Sequence, residues 1–437
     1  MRFGVNYTPS AGWFHSWLDF SPSAVAADME RIASLGVDHV RIFPLWPLVQ
    51  PNRTLIRPSA IADIVQVVDI AASFGLDVNV DALQGHLSSF DFIPSWLESW
   101  HRRNIFVAPE VITSTATYVR ELTSAVASRP NLLGVTLGNE LNQFAHDPHP
   151  TPHRATEKQA SAWLASMVGA VRAELGSTPA ARAPLVTVAQ YDAAWYDDAQ
   201  PFGPEHAADY GDLTVTHSWV FNGAAQLHGP LGEGSARHAE YLMQLAAAWN
   251  RDANRLNWLQ EVGAPTNVVP VKDAPEFLEK TIRHAADVQN NFGVTWWCSH
   301  DVSRKLADFP ELEYDLGLFT NDGVLKPTGE RFAELVHEFR NAKAGAGTPP
   351  RDALILEDVD AAGVPVADVR KSCAPGGRFS QAWLHHAAST GRGPQVVLRS
   401  KVADALLLAA RGITEVHVVP AGIDRIELSI AHPATHH

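Results

Sequence analysis

The sequence predicts an α/β protein: a (β/α)8 TIM barrel followed by a small C-terminal α/β appendage. Two observations predict it. Short apolar, β-branched runs alternate with amphipathic, Ala-rich stretches eight times between Phe3 and Trp297. After Asn341 to Pro350 (NAKAGAGTPP), a Gly/Ala/Pro stretch that reads as a linker, the same alternation restarts on a smaller scale. The rival architecture, a doubly wound open sheet, usually carries a Gly-rich phosphate turn after its first strand, and NYTPSAG is not one.

In chain order, Phe3 to Tyr7 reads as the first strand. The first helix follows over Pro22 to Leu35, with Ser21 as N-cap, Pro22 at the first helical position and Gly36 as its stop. His39 to Phe43 is the second strand, and a helix from Ile61 to Phe74 ends at Gly75. Leu76 to Val80 is the third strand; a helix over Tyr118 to Ala127 leads to the fourth, Leu132 to Leu137. A helix over Lys158 to Leu175 precedes Leu185 to Ala189, the fifth, and Leu213 to Thr216 is the sixth. A helix over His238 to Asn250 leads to Leu256 to Gln260, and one over Pro275 to Asn290 leads to Gly293 to Trp297, the eighth. A helix over Pro327 to Arg340 closes the barrel, which gives a division into 1–340, a linker at 341–350 and an accessory unit at 351–437. Within that unit, strands are expected at Ala353 to Leu356, Val396 to Leu398 and Glu415 to Val419, with helices over Arg378 to Ser389 and Ala403 to Arg411. The unit is expected to pack on the barrel or to mediate homo-oligomers.

Composition narrows the partners. The chain has 437 residues, 46% hydrophobic and 19% charged, as globular proteins do. A net charge of -14 repels phosphate backbones and anionic lipid, which argues against nucleic acid and membrane surfaces. The 13 Trp residues suit flat sugar rings as well as a core. The 2 cysteines, Cys298 and Cys373, form no disulfide framework, and MRFGVNYTPS runs straight into a strand without a leader. Both point to the cytoplasm.

A barrel of this type builds its site at the C-terminal ends of its strands. Strand four ends Leu137-Gly138-Asn139-Glu140, and strand seven ends Leu259-Gln260-Glu261. Two carboxylates facing across a barrel mouth suit glycoside hydrolysis, which needs one group to protonate the leaving oxygen and one to attack or to activate water. The structural alternatives are a helix-start carboxylate for Glu140 and an ion pair for Glu261. Arg41 either supports the site or pairs with a buried carboxylate such as Asp81 or Asp38. His86 and His217 lie at strand ends, where a structural role and a site role are both open. Trp296 and Trp297 are strand neighbours and face opposite sides. Trp13, with Phe14, His15 and Trp17, forms either a hydrophobic plug or a sugar-binding wall.

Asn139-Glu140 after strand four and Glu261 after strand seven resemble the barrel glycosidases of family 5. The resemblance covers about Phe3 to Arg340. It implies Glu140 as acid/base, Glu261 as nucleophile, Arg41 as support for the nucleophile, Asn139 on the sugar 2-hydroxyl, and Trp296 or Trp297 as the floor of the sugar subsite. GVNYTPSAGWFHSWLD and VRIFPLWPLVQPN, which carry Trp13 and Trp46, are similar to a bacterial exo-β-mannosidase branch acting on short β-mannosides such as mannosyl-β-1,4-N-acetylglucosamine. One departure stands out: the family has a Tyr two residues after the strand-six His, and here that position is Trp219. The implied reaction is a double displacement on a small oligosaccharide, with Arg41 keeping Glu261 ionised and the negative neighbour raising Glu140. It calls for no metal and no cofactor. An endo-mannanase, a cellulase-type glycanase or a β-glucosidase would use the same pair, and a non-catalytic carbohydrate-binding barrel is the reading from another class.

Overall fold

The structure is a computed structural model that describes residues 1–176, 183–342 and 351–426. Of the expected linker, residues 343–350 lie outside the described residues.

Eight parallel strands form one sheet: β1 (Arg2–Asn6), β2 (His39–Ile42), β3 (Asp77–Leu83), β4 (Leu132–Gly138), β5 (Leu185–Thr187), β6 (Thr214–Ser218), β7 (Asn257–Val262) and β8 (Asn291–Trp296). Their order is β5-β4-β3-β2-β1-β8-β7-β6, a (β/α)8 barrel closed except at the β5–β6 seam. Asp212 spans that seam: its backbone N–H donates to Val186 O at 2.8 Å and its carboxylate accepts from Val186 N–H at 2.7 Å.

Local chemistry sets the helices. Ser21 caps Pro22–Ser34 by accepting from Ala24 N–H, and Thr156 with Gln159 forms a capping box at the start of Glu157–Leu175. Gly36 and Gly75 have φ of +77° and +75°, where glycine stops a helix without strain. The helix expected over Tyr118 to Ala127 starts earlier, at Pro109, because polar residues in its first turns mask the apolar stripe. A short helix at Trp46–Val49 and a hairpin pairing His86–Leu87 with Phe90–Asp91 add to the mouth of the barrel.

The barrel centre is polar and hydrogen-bonded. Asn79 donates to Thr136 at 2.7 Å, Thr136 meets Thr187 at 2.7 Å, and Gln260 donates to Thr136 at 3.1 Å. Lower down, His39 Nε2 lies 2.9 Å from Thr295 Oγ1, in space left by Gly4, where a Cβ would sit 2.2 Å from the imidazole. These contacts hold the strands in register beneath the mouth.

The C-terminal segment forms a second parallel sheet, β10-β9-β11, from β9 (Arg351–Leu356), β10 (Gln395–Leu398) and β11 (Ile413–His417). It packs on the barrel flank. Leu354, Leu356, Phe379 and Trp383 share an apolar cluster with Tyr241, Leu242 and Leu245 of the helix His238–Ala247. Lys401 Nζ donates to the carbonyls of Ala248, Trp249 and Asn250 just past that helix, where the helix dipole favours a cation. Cys298 and Cys373 are both buried free thiols. Among the described residues no helix is long and apolar enough to cross a membrane.

Candidate active site

Glu140 sits two residues past β4 with φ +50° and ψ +37°. This left-handed backbone costs a non-glycine residue about 1–3 kcal/mol, a strain that clusters at functional sites. The residue precedes the short 3-10 helix Leu141–Ala145, yet its side chain makes no cap hydrogen bond there. The carboxylate turns to His217 Nδ1 at 2.7 Å and accepts from Gln143 Nε2 at 2.6 Å. A helix-start role therefore does not explain it.

Glu261 lies on β7 itself, since the strand runs to Val262. It accepts from Arg41 Nη1 at 2.6 Å and from the Trp219 indole N–H at 3.4 Å, and its Oε2 is 3.4 Å from His217 Nδ1. One oxygen of each glutamate and a His217 nitrogen all lie within 4.8 Å of one another.

Arg41 is fully buried and holds several acceptors at once. Besides Glu261 it donates to Asp81 at 2.5 Å, Asn139 Oδ1 at 2.8 Å and Asn6 Oδ1 at 3.3 Å. The two roles weighed for it coexist, with Asp81 as the buried partner. Asp38 instead accepts from Arg340 and from the Phe3 N–H. Asn139 Nδ2 donates to the His86 carbonyl at 3.0 Å, while the His86 ring turns to Asp91 at 2.9 Å. His86 thus meets the site by its backbone.

His217 is enclosed. Its Nδ1 faces both glutamates and its Nε2 lies 3.3 Å from Gln260 Oε1, so both ring nitrogens face acceptor oxygens. Burial pushes the ring down, but the Glu261 and Glu140 charges outweigh it and raise it above its ordinary range. Burial also pushes Glu140 up, and there the His217 and Gln143 donors win and lower it. On Glu261 burial prevails over the pull of His217 and Arg41, and the carboxyl is raised. Both glutamate shifts run opposite to the sequence expectation, because two donors converge on Glu140 that sequence spacing does not reveal.

The tryptophans divide. Trp297 faces the mouth, its ring 5.5 Å from Phe43 and 6.4 Å from Trp219. Trp296 does not: it is fully buried against Phe332 of the closing helix, as strand alternation demands of one of the pair. Trp46 is likewise a core residue, fully buried, donating to Gln50 at 2.8 Å and edge-on to Trp96. Both are corrections to the expected substrate contacts. Trp13 is 2% exposed and packs on Phe14, Phe90 and Phe309, in one cluster with Trp297 and Trp219.

Several groups escaped the sequence reading. Tyr191 and Asp192 follow β5, and Asn222 donates to both, at 2.7 and 2.8 Å. The strand-end rule applied to β5 points to them. Burial pushes Asp192 up to about 7. Glu313, on the 3-10 helix Glu311–Asp315, is also pushed up to about 7 by burial and feels the charges of Glu261 and Glu140. Glu140, His217 and Glu261 have the spacing of a metal donor set, but the Arg41 guanidinium 2.6 Å from Glu261 already supplies the positive charge a cation would bring.

No protein-family profile matches the chain, and no curated protein does. Solved structures do. A GH5_18 structure from Streptomyces cattleya in complex with Manβ1-4GlcNAc is 51% identical, with a TM-score of 0.90, over 95% of this chain and 98% of that one. A GH5_18 structure from Bifidobacterium longum subsp. infantis is 44% identical, with a TM-score of 0.89, over 96% of each chain. An exo-β-1,4-mannosidase from Opitutaceae bacterium strain TAV5 shares the fold at 21% identity and a TM-score of 0.73, over 91% of this chain and 69% of that one.

Proposed function

This chain belongs to the GH5_18 glycoside hydrolases, and we propose that it is a retaining exo-β-mannosidase that cleaves short β-1,4-mannosides, mannosyl-β-1,4-N-acetylglucosamine above all. The observation that carries the reading is the pair Glu140 and Glu261, brought from β4 and β7 to within 4.8 Å oxygen to oxygen. Retaining enzymes hold their carboxyl groups about 5–5.5 Å apart and inverting ones about 6.5–9.5 Å. Support for the substrate comes from relatives: GH5_18 structures from Streptomyces cattleya hold Manβ1-4GlcNAc and GlcNAc, and one from Bifidobacterium longum holds Manβ1-4GlcNAc.

Glu261 attacks the anomeric carbon, the bond from that carbon to the leaving oxygen breaks, and Glu140 delivers a proton to that oxygen. Ionised Glu140 then takes a proton from water as the water displaces Glu261. His217, raised by the two glutamate charges and with its Nδ1 2.7 Å from Glu140 Oε1, stands where it can pass Glu140 the delivered proton across this contact. Arg41 and the Trp219 N–H stabilise Glu261 when it departs as a carboxylate.

The test is hydrolysis of Manβ1-4GlcNAc and of p-nitrophenyl β-mannoside beside the glucoside and galactoside, with the released anomer followed by NMR. Release of β-mannose, abolished in Glu261→Ala, is expected. Release of α-mannose would overturn retention. Preference for another glycoside, or cleavage of long chains alone, would overturn the exo-mannosidase reading.

A further inference from the structure

Three ligand-type side chains converge on the small sheet, far from the barrel mouth in chain and element. They are Asp352 of β9, His386 of the helix Arg378–Thr390, and His417 at the end of β11. His417 Nε2 lies 3.3 Å from Asp352 Oδ2, and His386 Nε2 lies 3.8 Å from the same oxygen. The two imidazole rings stand 5.2 Å apart, and one donor atom from each residue falls within a 4.8 Å group.

A second observation points to a missing partner. His417 Nε2 is itself shut off from solvent and makes no well-aligned hydrogen bond, although two carboxylate oxygens face it, Asp352 Oδ2 at 3.3 Å and Glu415 Oε2 at 3.8 Å. A nitrogen that faces two carboxylate oxygens without bonding well to either leaves room between them for a cation. Asp352 is oriented for that cation: its other oxygen, Oδ1, accepts from Thr414 Oγ1 at 3.1 Å, which leaves Oδ2 turned to the histidines.

We propose that Asp352, His386 and His417 bind a divalent transition-metal ion of the zinc class. Ligands about 2.0–2.1 Å from a tetrahedral zinc stand roughly 3.3 Å from one another. The Asp352–His417 edge is already that long, the Asp352–His386 edge is 3.8 Å, and rotation of the His386 side chain closes the set, whose donor atoms all lie within 4.8 Å. Two imidazoles and one carboxylate favour zinc, copper or nickel over calcium or magnesium, which prefer all-oxygen sites. All three residues are half-buried, so water completes the coordination. The ion ties β11, an edge strand, and the helix Arg378–Thr390 to the central strand β9. The site stabilises the appendage and does not depend on the hydrolytic reading.

The test uses the full chain stripped of metal by a chelator. Zn²⁺ and Mg²⁺ are titrated calorimetrically, and thermal melts are run with and without Zn²⁺. Saturable binding of one Zn²⁺ per chain and a zinc-dependent rise in Tm are expected, with no response to Mg²⁺. Both should vanish in the double variant His386→Gln, His417→Gln. If that variant melts low without metal, Asp352→Asn supplies the same readout with the shape kept. Equal zinc binding by the variants, or no saturable binding by the parent chain, would overturn the site.

Discussion

The indole nitrogen of Trp219 lies 3.4 Å from Oε2 of Glu261. A tyrosine is expected at this position from the family resemblance, and the indole reaches the nucleophile's oxygen in its stead. An indole N–H donates and never accepts, so its contribution is largest when Glu261 carries full charge. Glu261 regains that charge when the glycosyl-enzyme breaks down. Trp219→Phe keeps an aromatic ring and removes the donor. Breakdown of the intermediate should slow roughly tenfold, about 1.4 kcal/mol, near the low end for a hydrogen bond to a charged group. A pre-steady-state burst with an activated mannoside would then appear or grow. An unchanged turnover without a burst would rule the donor out.

Arg41 serves Glu261, Asp81 and Asn139 with one planar guanidinium at zero exposure. Lysine offers a single ammonium and cannot reach all three. Arg41→Lys should lower kcat/KM by about 100-fold or more and destabilise the fold by about 3–5 kcal/mol, the cost of stranding a buried charge. Kinetics and denaturant unfolding on the same sample check both. A variant with lost activity and unchanged stability would separate Arg41 from the structural network.

The barrel and the placing of its two glutamates were legible because the strand-end rule needs only the last residues of a run, and Glu140 and Glu261 each come one polar residue after the apolar part of their strands. Trp46 and Trp296 were not. Which of two neighbouring strand residues faces inward depends on the phase of the pleat, and Trp46 falls in a four-residue helix too short to show a periodic face. The Asp192–Asn222 contact joins loops 30 residues apart, and the resting charge on Glu140 follows from its meeting with His217, 77 residues on. Contacts of that kind arise when the barrel closes, and local sequence carries no trace of them.

Asp192 gives a pH signature. Burial raises its folded pKa from the ordinary 3.8 to about 7. Between those values the native state keeps a proton that the unfolded chain has released, so stability falls as pH rises across the window. Asp192→Asn removes the titration. The slope of unfolding free energy against pH should become shallower by up to about 1.4 kcal/mol per pH unit between pH 4 and 7, and the variant should gain on the parent at pH 8. Denaturant melts at five pH values would show it. Parallel curves for the two proteins would place the titration elsewhere.

His217 should govern the basic limb of the activity profile. Its ring is pushed down by burial but raised overall by Glu261 and Glu140, so it holds its proton above the ordinary 6.5. The proton needed by Glu140 is then present at low pH and lost as pH rises through the raised value. In His217→Gln the acid is Glu140 alone, and the basic limb of kcat/KM should move to lower pH by about one unit or more. A limb that stays in place while kcat falls would make His217 a purely structural contact.

The two glutamates should respond differently to the leaving group. Protonation matters when the departing oxygen is a poor leaving group, as the sugar hydroxyl of a disaccharide is, and matters little for a dinitrophenolate. Attack on the anomeric carbon is needed for both. Glu140→Ala should therefore lose most activity on Manβ1-4GlcNAc yet form the glycosyl-enzyme readily from a dinitrophenyl mannoside. It would then stall, because the base that activates water is gone. Glu261→Ala should fail on both substrates. The left-handed backbone of Glu140 adds a structural check: alanine shares the strain and loses the Gln143 and His217 contacts that hold it, so the variant should melt below the parent. Equal losses on the two substrates in Glu140→Ala, or a surviving dinitrophenyl reaction in Glu261→Ala, would exchange or abolish the assigned roles.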